Sequence, residues 1–182
     1  YTAAVGRGTT VVVSAGNSAD DAANYSPASC NDVITVASVG PTGTISDFSN
    51  YGTVVDVAAP GGSGYTPAGD NILLTLNLGL QGQGAEGYAW YAGTSMSAPH
   101  VSGTIALMQA AAATPKTPAQ VKKILENTAY ASGGFAGGCS YDNYCGAGII
   151  DARYAVAVAA GTEALPPDVP PPPPPPPAHP LR

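Results

Sequence analysis

The chain has 182 residues, the length of one domain at roughly 150 residues per domain. Its 6 Lys+Arg against 12 Asp+Glu give a net charge of −6, which argues against nucleic acid, because phosphate contacts need clustered Lys and Arg. No apolar run approaches the ~20 residues of a membrane span.

Residues 1–5 read as the last turn of a helix, and Gly6-Arg7-Gly8 as the turn that ends it. A chain that opens on a helix's last turn is expected to continue upstream. Thr9–Ala15 is β-branched and almost continuously apolar, which suits a strand buried on both faces of a parallel sheet. It ends at the loop residues Gly16-Asn17-Ser18. Val33–Val39, closed by Gly40-Pro41, and Val54–Ala58, closed by Pro60-Gly61-Gly62, read the same way. Residues 61–92 are rich in Gly, Tyr, Asn and Gln, and read as long loops around one or two short strands, with an apolar run at Ile72–Leu76.

Ser95–Ala113 has helical periodicity, with Val101, Ile105 and Met108 on one stripe and Pro99 in the first turns, where Pro is tolerated. Thr117-Pro118-Ala119-Gln120 is a capping box with Pro at the first helical position, opening a helix to about Thr128. Asp151 can cap a last short helix, Ala152–Ala160. Strand–loop–helix alternation predicts an α/β fold.

From Pro166 the composition changes. Of the 18 prolines, 11 lie in 166–180, and Pro170–Pro177 is a run of eight. With no amide donors and φ fixed, that run is expected to be an extended polyproline II rod, a linker or stalk. No flanking basic residue or repeated motif marks it as a ligand for a polyproline-binding module. The three cysteines divide into two groups. Cys139 and Cys145 enclose a short Gly-flanked loop and read as a local disulfide; zinc is the alternative, but no other Cys or nearby His completes a tetrahedral set. Cys30 is left over. A disulfide implies an oxidising, extracellular or periplasmic setting.

The informative segment is Gly93-Thr94-Ser95-Met96-Ser97-Ala98-Pro99-His100-Val101-Ser102-Gly103. Ser95 follows a small-residue turn and opens a helix, so its hydroxyl is exposed where the helix's free amides and positive end face a developing oxyanion. An ordinary Ser N-cap has the same local pattern. The whole string, however, closely resembles the nucleophile motif of the subtilases, the subtilisin-like serine proteases. Val11-Val12-Val13-Ser14-Ala15-Gly16-Asn17 is similar to the family's oxyanion-hole strand. Asn24-Tyr25-Ser26-Pro27-Ala28-Ser29 resembles a segment of its proteinase K branch, nearest to secreted bacterial members. Phe48-Ser49-Asn50-Tyr51-Gly52 and Ala59-Pro60-Gly61 are further landmarks in the expected order.

The resemblance implies a three-layer fold with a mostly parallel sheet, here beginning partway through it. Residues 1–165 would be the C-terminal part of a catalytic domain and 166–182 a proline-rich linker or tail. It assigns Ser95 as nucleophile, and the Asn17 amide with the Ser95 N–H as the oxyanion hole. Ser14, Ala15 and Gly16 would line the primary specificity pocket with Tyr25 at its base, favouring apolar or aromatic side chains of polypeptide substrates. Asp56 is a charge inside an apolar strand and needs partners. Loop amides are one reading. The other is a structural calcium ion held, as in the proteinase K branch, by Asp56 and the carbonyls of Asn31 and Val33. Cys30 would pair upstream, as in secreted relatives. Met96, beside the nucleophile, is either an oxidation site or a core residue.

The departures are as informative. The mechanism needs a His base and an Asp to orient it, and in subtilases both precede the nucleophile. Outside the proline tail, which holds His179, the one histidine is His100, five residues after Ser95 on the same helix. It reads as a core or hydrogen-bonding residue. The catalytic Asp and His are therefore expected on a missing N-terminal half, and this chain alone is expected to be inactive. The rival readings are a non-catalytic subtilase-like peptide-binding domain and a proline-rich surface stalk protein.

Overall fold

A computed structural model describes residues 1–64, 68–130, 139 and 145–168. The polyproline run lies outside the described residues. The elements are α1 (Thr2–Val5), β1 (Val12–Ser14), β2 (Ile34–Val39), β3 (Val57–Pro60), β4 (Ile72–Asn77), β5 (Glu86–Tyr91), α2 (Thr94–Ala111), α3 (Pro118–Thr128) and α4 (Ala152–Ala160). The fold is α/β. β1, β2 and β3 form a parallel sheet in that order, with Val12 opposite Ile34 and Val36 opposite Val57. Every residue of β2 is buried, which explains its unbroken β-branched and small-residue sequence. β4 and β5 form a separate antiparallel hairpin, with Leu73 opposite Trp90.

Two apolar clusters lie on the two faces of the sheet. One packs Ile34, Val36 and Val57 against Val101, Ile105 and Met108 of α2 and Val121, Ile124 and Leu125 of α3. The other gathers Ala15, Ala37, Val39 and Ala58 with Ala22, Ala28 and Ile149 from loops. Beyond β3 the segment 147–150 extends the sheet: the Ala58 N–H donates to Gly148 O and the Ile150 N–H to Ala58 O. The outer edge of β1 carries no strand among the described residues.

Local signals explain most element ends. Thr117 accepts from the Gln120 N–H while the Gln120 side chain accepts from the Thr117 N–H, so the capping box is real. Asp151 caps α4 through the Tyr154 N–H, and Gly161 ends it in the left-handed conformation. Gly6-Arg7-Gly8 is the turn that ends α1, with its positive φ at Gly8. Two expectations are corrected. β1 is shorter than Thr9–Ala15. β3 begins three residues later than expected, because the Asp56 side chain, not a strand carbonyl, takes the Thr35 N–H before the ladder starts.

The helix-side cluster carries a stability prediction. Leu125, 1% exposed, joins α3 to the core, whereas Leu80 is 100% exposed. Leu125→Ala is expected to lower the unfolding free energy by about 2–5 kcal/mol. Leu80→Ala is expected to stay within about 0.5 kcal/mol. Denaturant midpoints of the two variants check this.

Candidate active site

The site forms where β1 ends and α2 begins. Ala15, fully buried, continues the β1 ladder by donating its N–H to Val36 O at 2.9 Å. The chain then turns at Gly16, whose φ is +109°. A Cβ there would fall 2.3 Å from Asn50 Nδ2, so both the angle and the space require glycine. Asn50 is fully buried and its whole amide is engaged. Nδ2 donates to Ala15 O at 2.9 Å, and Oδ1 accepts from Ser18 N at 2.8 Å and Asp20 N at 3.3 Å. The Asn50 N–H also donates to Gly16 O. One side chain thus holds the loop that carries Asn17.

The other half is the start of α2. The Gly93 N–H donates to Gly61 O at 2.8 Å, and a Cβ on Gly61 would lie 2.2 Å from both Ser38 Oγ and Ser97 Oγ. Glycine at 61 therefore lets the segment after β3 approach the helix start. Thr94, fully buried, is the link across. Its N–H and its hydroxyl both donate to Asn17 Oδ1, each at 2.9 Å, and its Oγ1 accepts from the Gly16 N–H at 3.2 Å. Asn17 Oδ1 is doubly held, so the amide has one orientation. Its Nδ2, on the open side, has no partner among the described residues.

Ser95 is exposed at the next position. Second in the helix, its N–H has no acceptor four residues back within the helix. Asn17 Nδ2 and this N–H are thus two donors without an acceptor among the described residues, on either side of Thr94. Ser95, Met96, Pro99 and His100 line an open cavity of about 250 Å³ with Ile72 and Leu74 of the hairpin. Pro99 is sixth in α2, within the first two turns as expected. His100 is exposed rather than in the core, and it is hydrogen-bonded: Nδ1 lies 2.8 Å from Met96 O, so Nδ1 carries the proton and donates.

Of the residues expected to shape a pocket, Ser14 and Gly16 are half-buried and Ala15 fully buried. Tyr25 packs against the cluster that contains Ala15, and its hydroxyl donates to Asp20 Oδ2 at 3.1 Å. The Cys139–Cys145 disulfide is present, with Cα atoms 5.8 Å apart, and both residues are buried. Cys30 is a free thiol in this chain.

Asp56, weighed between loop amides and a calcium ion, has two partners in the structure. Asp56 Oδ1 is paired with the Lys122 ammonium, and Oδ2 accepts from the Thr35 N–H at 2.7 Å. Both carboxylate oxygens of Asp56 are engaged, and the Lys122 ammonium stands on one of them, so this carboxylate does not fit a calcium ion shared with the carbonyls of Asn31 and Val33. Among the described residues no three His, Cys, Asp or Glu side chains are grouped to hold a metal. Glu126 lies 3.9 Å from Lys122, and burial, against the pull of Lys122, pushes its carboxyl up to about 7. Sequence reasoning missed Asn50 as a staple, Thr94 as a clamp and Lys122 as the partner of Asp56. Thr94 and Asn50 had a signal, their places in the Gly-Thr-Ser string and in Phe48-Ser49-Asn50-Tyr51-Gly52; Lys122 had none.

Comparisons with known proteins identify the family. The Subtilase family model matches residues 1–153. The chain belongs to the subtilase family. It is 48% identical over 156 residues to an extracellular protease of Xanthomonas campestris pv. campestris, covering 86% of this chain and 25% of that protein. It is 39% identical over 159 residues to an extracellular basic protease of Dichelobacter nodosus, covering 86% and 24%. A solved protease structure from Pseudoalteromonas arctica superposes with a TM-score of 0.77 at 43% identity, covering 87% of this chain and 45% of that one. The chain thus spans about a quarter of the length of these curated relatives.

The clamp is testable by stability alone. Thr94→Val keeps the shape but removes the hydroxyl, so the Gly16 N–H loses its acceptor. The unfolding free energy is expected to fall by about 1–3 kcal/mol, read from denaturant midpoints.

Proposed function

We propose that this chain is the C-terminal part of the catalytic domain of a secreted serine endopeptidase, with Ser95 as its nucleophile. One observation carries the reading: Thr94 holds Asn17 Oδ1 by two hydrogen bonds, so the Asn17 NH₂ is oriented beside Ser95 before any charge develops. Such preorganised donors stabilise an oxyanion without reorganisation during the reaction.

Ser95 Oγ attacks the peptide carbonyl and gives its proton to a general base. The carbonyl oxygen becomes anionic and is held by Asn17 Nδ2 and the Ser95 N–H. The C–N bond then breaks, the base returns the proton to the leaving amine, and water hydrolyses the acyl-enzyme. His100 is not that base in this reading, because it follows Ser95 on one helix and ties its Nδ1 to Met96 O. The base and its orienting Asp belong to an upstream half that completes the domain. Its docking site would be the outer edge of β1 and the exposed face of α2 that includes Ser102, Gly103 and Leu107. Small residues there permit close packing.

Ser14, Ala15, Gly16 and Tyr25 would form part of the primary specificity pocket for apolar or aromatic side chains of polypeptide substrates. Residues 166–182 would be a proline-rich linker or tail beyond a domain ending near 165. Secretion is supported by the disulfide and by relatives named extracellular proteases. Among the described residues no helix is long and apolar enough to cross a membrane.

A fluorophosphonate probe tests the reading. The full-length protein is expected to be labelled at Ser95, Ser95→Ala to be unlabelled, and this chain alone to be unlabelled. No labelling of the full-length protein would point to a non-catalytic peptide-binding domain. Strong labelling of this chain alone would overturn the placement of the base upstream.

A further inference from the structure

Asp56 sits at a junction of four chain segments. Its N–H donates to Thr35 O at 2.9 Å, and its Oδ2 accepts from the Thr35 N–H. Its carbonyl accepts from the Ala147 N–H at 2.8 Å. Gly146, at φ +69°, turns the chain so tightly here that a Cβ would fall 2.3 Å from the Asp56 carbonyl carbon and oxygen. The side chain of Asp56 is 12% exposed and meets the ammonium of Lys122, which reaches over from α3 and is 40% exposed. A carboxylate so far from water needs a positive partner, and removing one member of such a pair leaves an uncompensated charge.

We infer that Lys122 is the built-in cation of this site: its ammonium supplies to Asp56 the charge that a calcium ion supplies at the matching position of the proteinase K branch. The geometry is that of an ion pair on a stalk. Lys122 lies on the second turn of α3, whose start is fixed by the capping box and whose Val121, Ile124 and Leu125 are buried in the core. The stem therefore starts from a fixed helix, and the head can reach both Asp56 and, at 3.9 Å, Glu126. Burial opposes charge on this ammonium, but attraction to Asp56, then Glu126 and Asp32, holds it protonated above the ordinary lysine range. An ammonium donates three hydrogen bonds and needs no coordination shell, so Asp56 Oδ2 stays available to the Thr35 N–H. A divalent ion would have to displace the Lys122 ammonium into solvent, and among the described residues no three His, Cys, Asp or Glu side chains are grouped to hold it in return. The consequence is a β2–β3–α3 junction whose stability is independent of divalent cations at Asp56.

The test uses the full-length protein, inhibited to prevent self-digestion, and reads Tm with calcium and with chelator. Any calcium response of the wild type is expected to persist unchanged in Asp56→Asn. Lys122→Met is expected to lose several degrees in chelator, and the double variant to recover part of that loss, because removing both partners strands no charge. A calcium response that disappears in Asp56→Asn would overturn the inference. So would losses in the two single variants that simply add in the double variant.

Discussion

Thr94 and Asn17 are the contact on which the rest of the site depends. Two hydrogen bonds converge on Asn17 Oδ1, from the Thr94 N–H and from its hydroxyl, and the Gly16 N–H completes the relay into Thr94 Oγ1. They join the carboxyl end of a sheet strand to the amino end of a helix. They also decide which end of the Asn17 amide faces outward. An asparagine on an exposed loop would turn freely between its two faces. Held in this way, it turns its Oδ1 to Thr94 and its NH₂ away from that clamp.

The surroundings make that clamp rigid. Asn50 spends its entire amide on the loop that bears Asn17, and Gly16 exists because any side chain there would strike Asn50. Gly61 brings the segment after β3 against Gly93, which positions the first turn of α2. Parallel sheets place their functional sites at the carboxyl ends of the strands, and here β1 and the segment after β3 both end at this junction. The Lys122–Asp56 pair serves a different part of the fold. It ties α3 to the residue just before β3.

How much of this was legible in the sequence depended on whether the signal was local. The capping box at Thr117, the cap at Asp151, the buried run of β2 and the Val101-Ile105-Met108 stripe are all short-range patterns, and all appear as expected. The Ser95 string and the Asn17 strand were legible as a family resemblance and not as geometry. What was not legible involves residues distant in the chain. Nothing local tells that Thr94 reaches Asn17, that Asn50 holds Ala15, or that Lys122 covers Asp56. Asp56 meets a cation from α3, a partner neither of its two readings included, and its separate bond to the Thr35 N–H precedes the start of β3. The strand Glu86–Tyr91 was only partly foreseen, because its alternation of glycine, alanine and exposed aromatics reads as loop composition.

The account's central claim is that Asn17 acts through a preset amide and not as a turn residue. The most direct measurement is the steady-state kinetics of Asn17→Ala in the full-length protein. A preset oxyanion donor is used in the transition state and not in substrate binding, so kcat is expected to fall by about 10²–10³, the magnitude known for subtilisin itself, with KM nearly unchanged. A kcat close to wild type, or a loss confined to KM, would contradict the account.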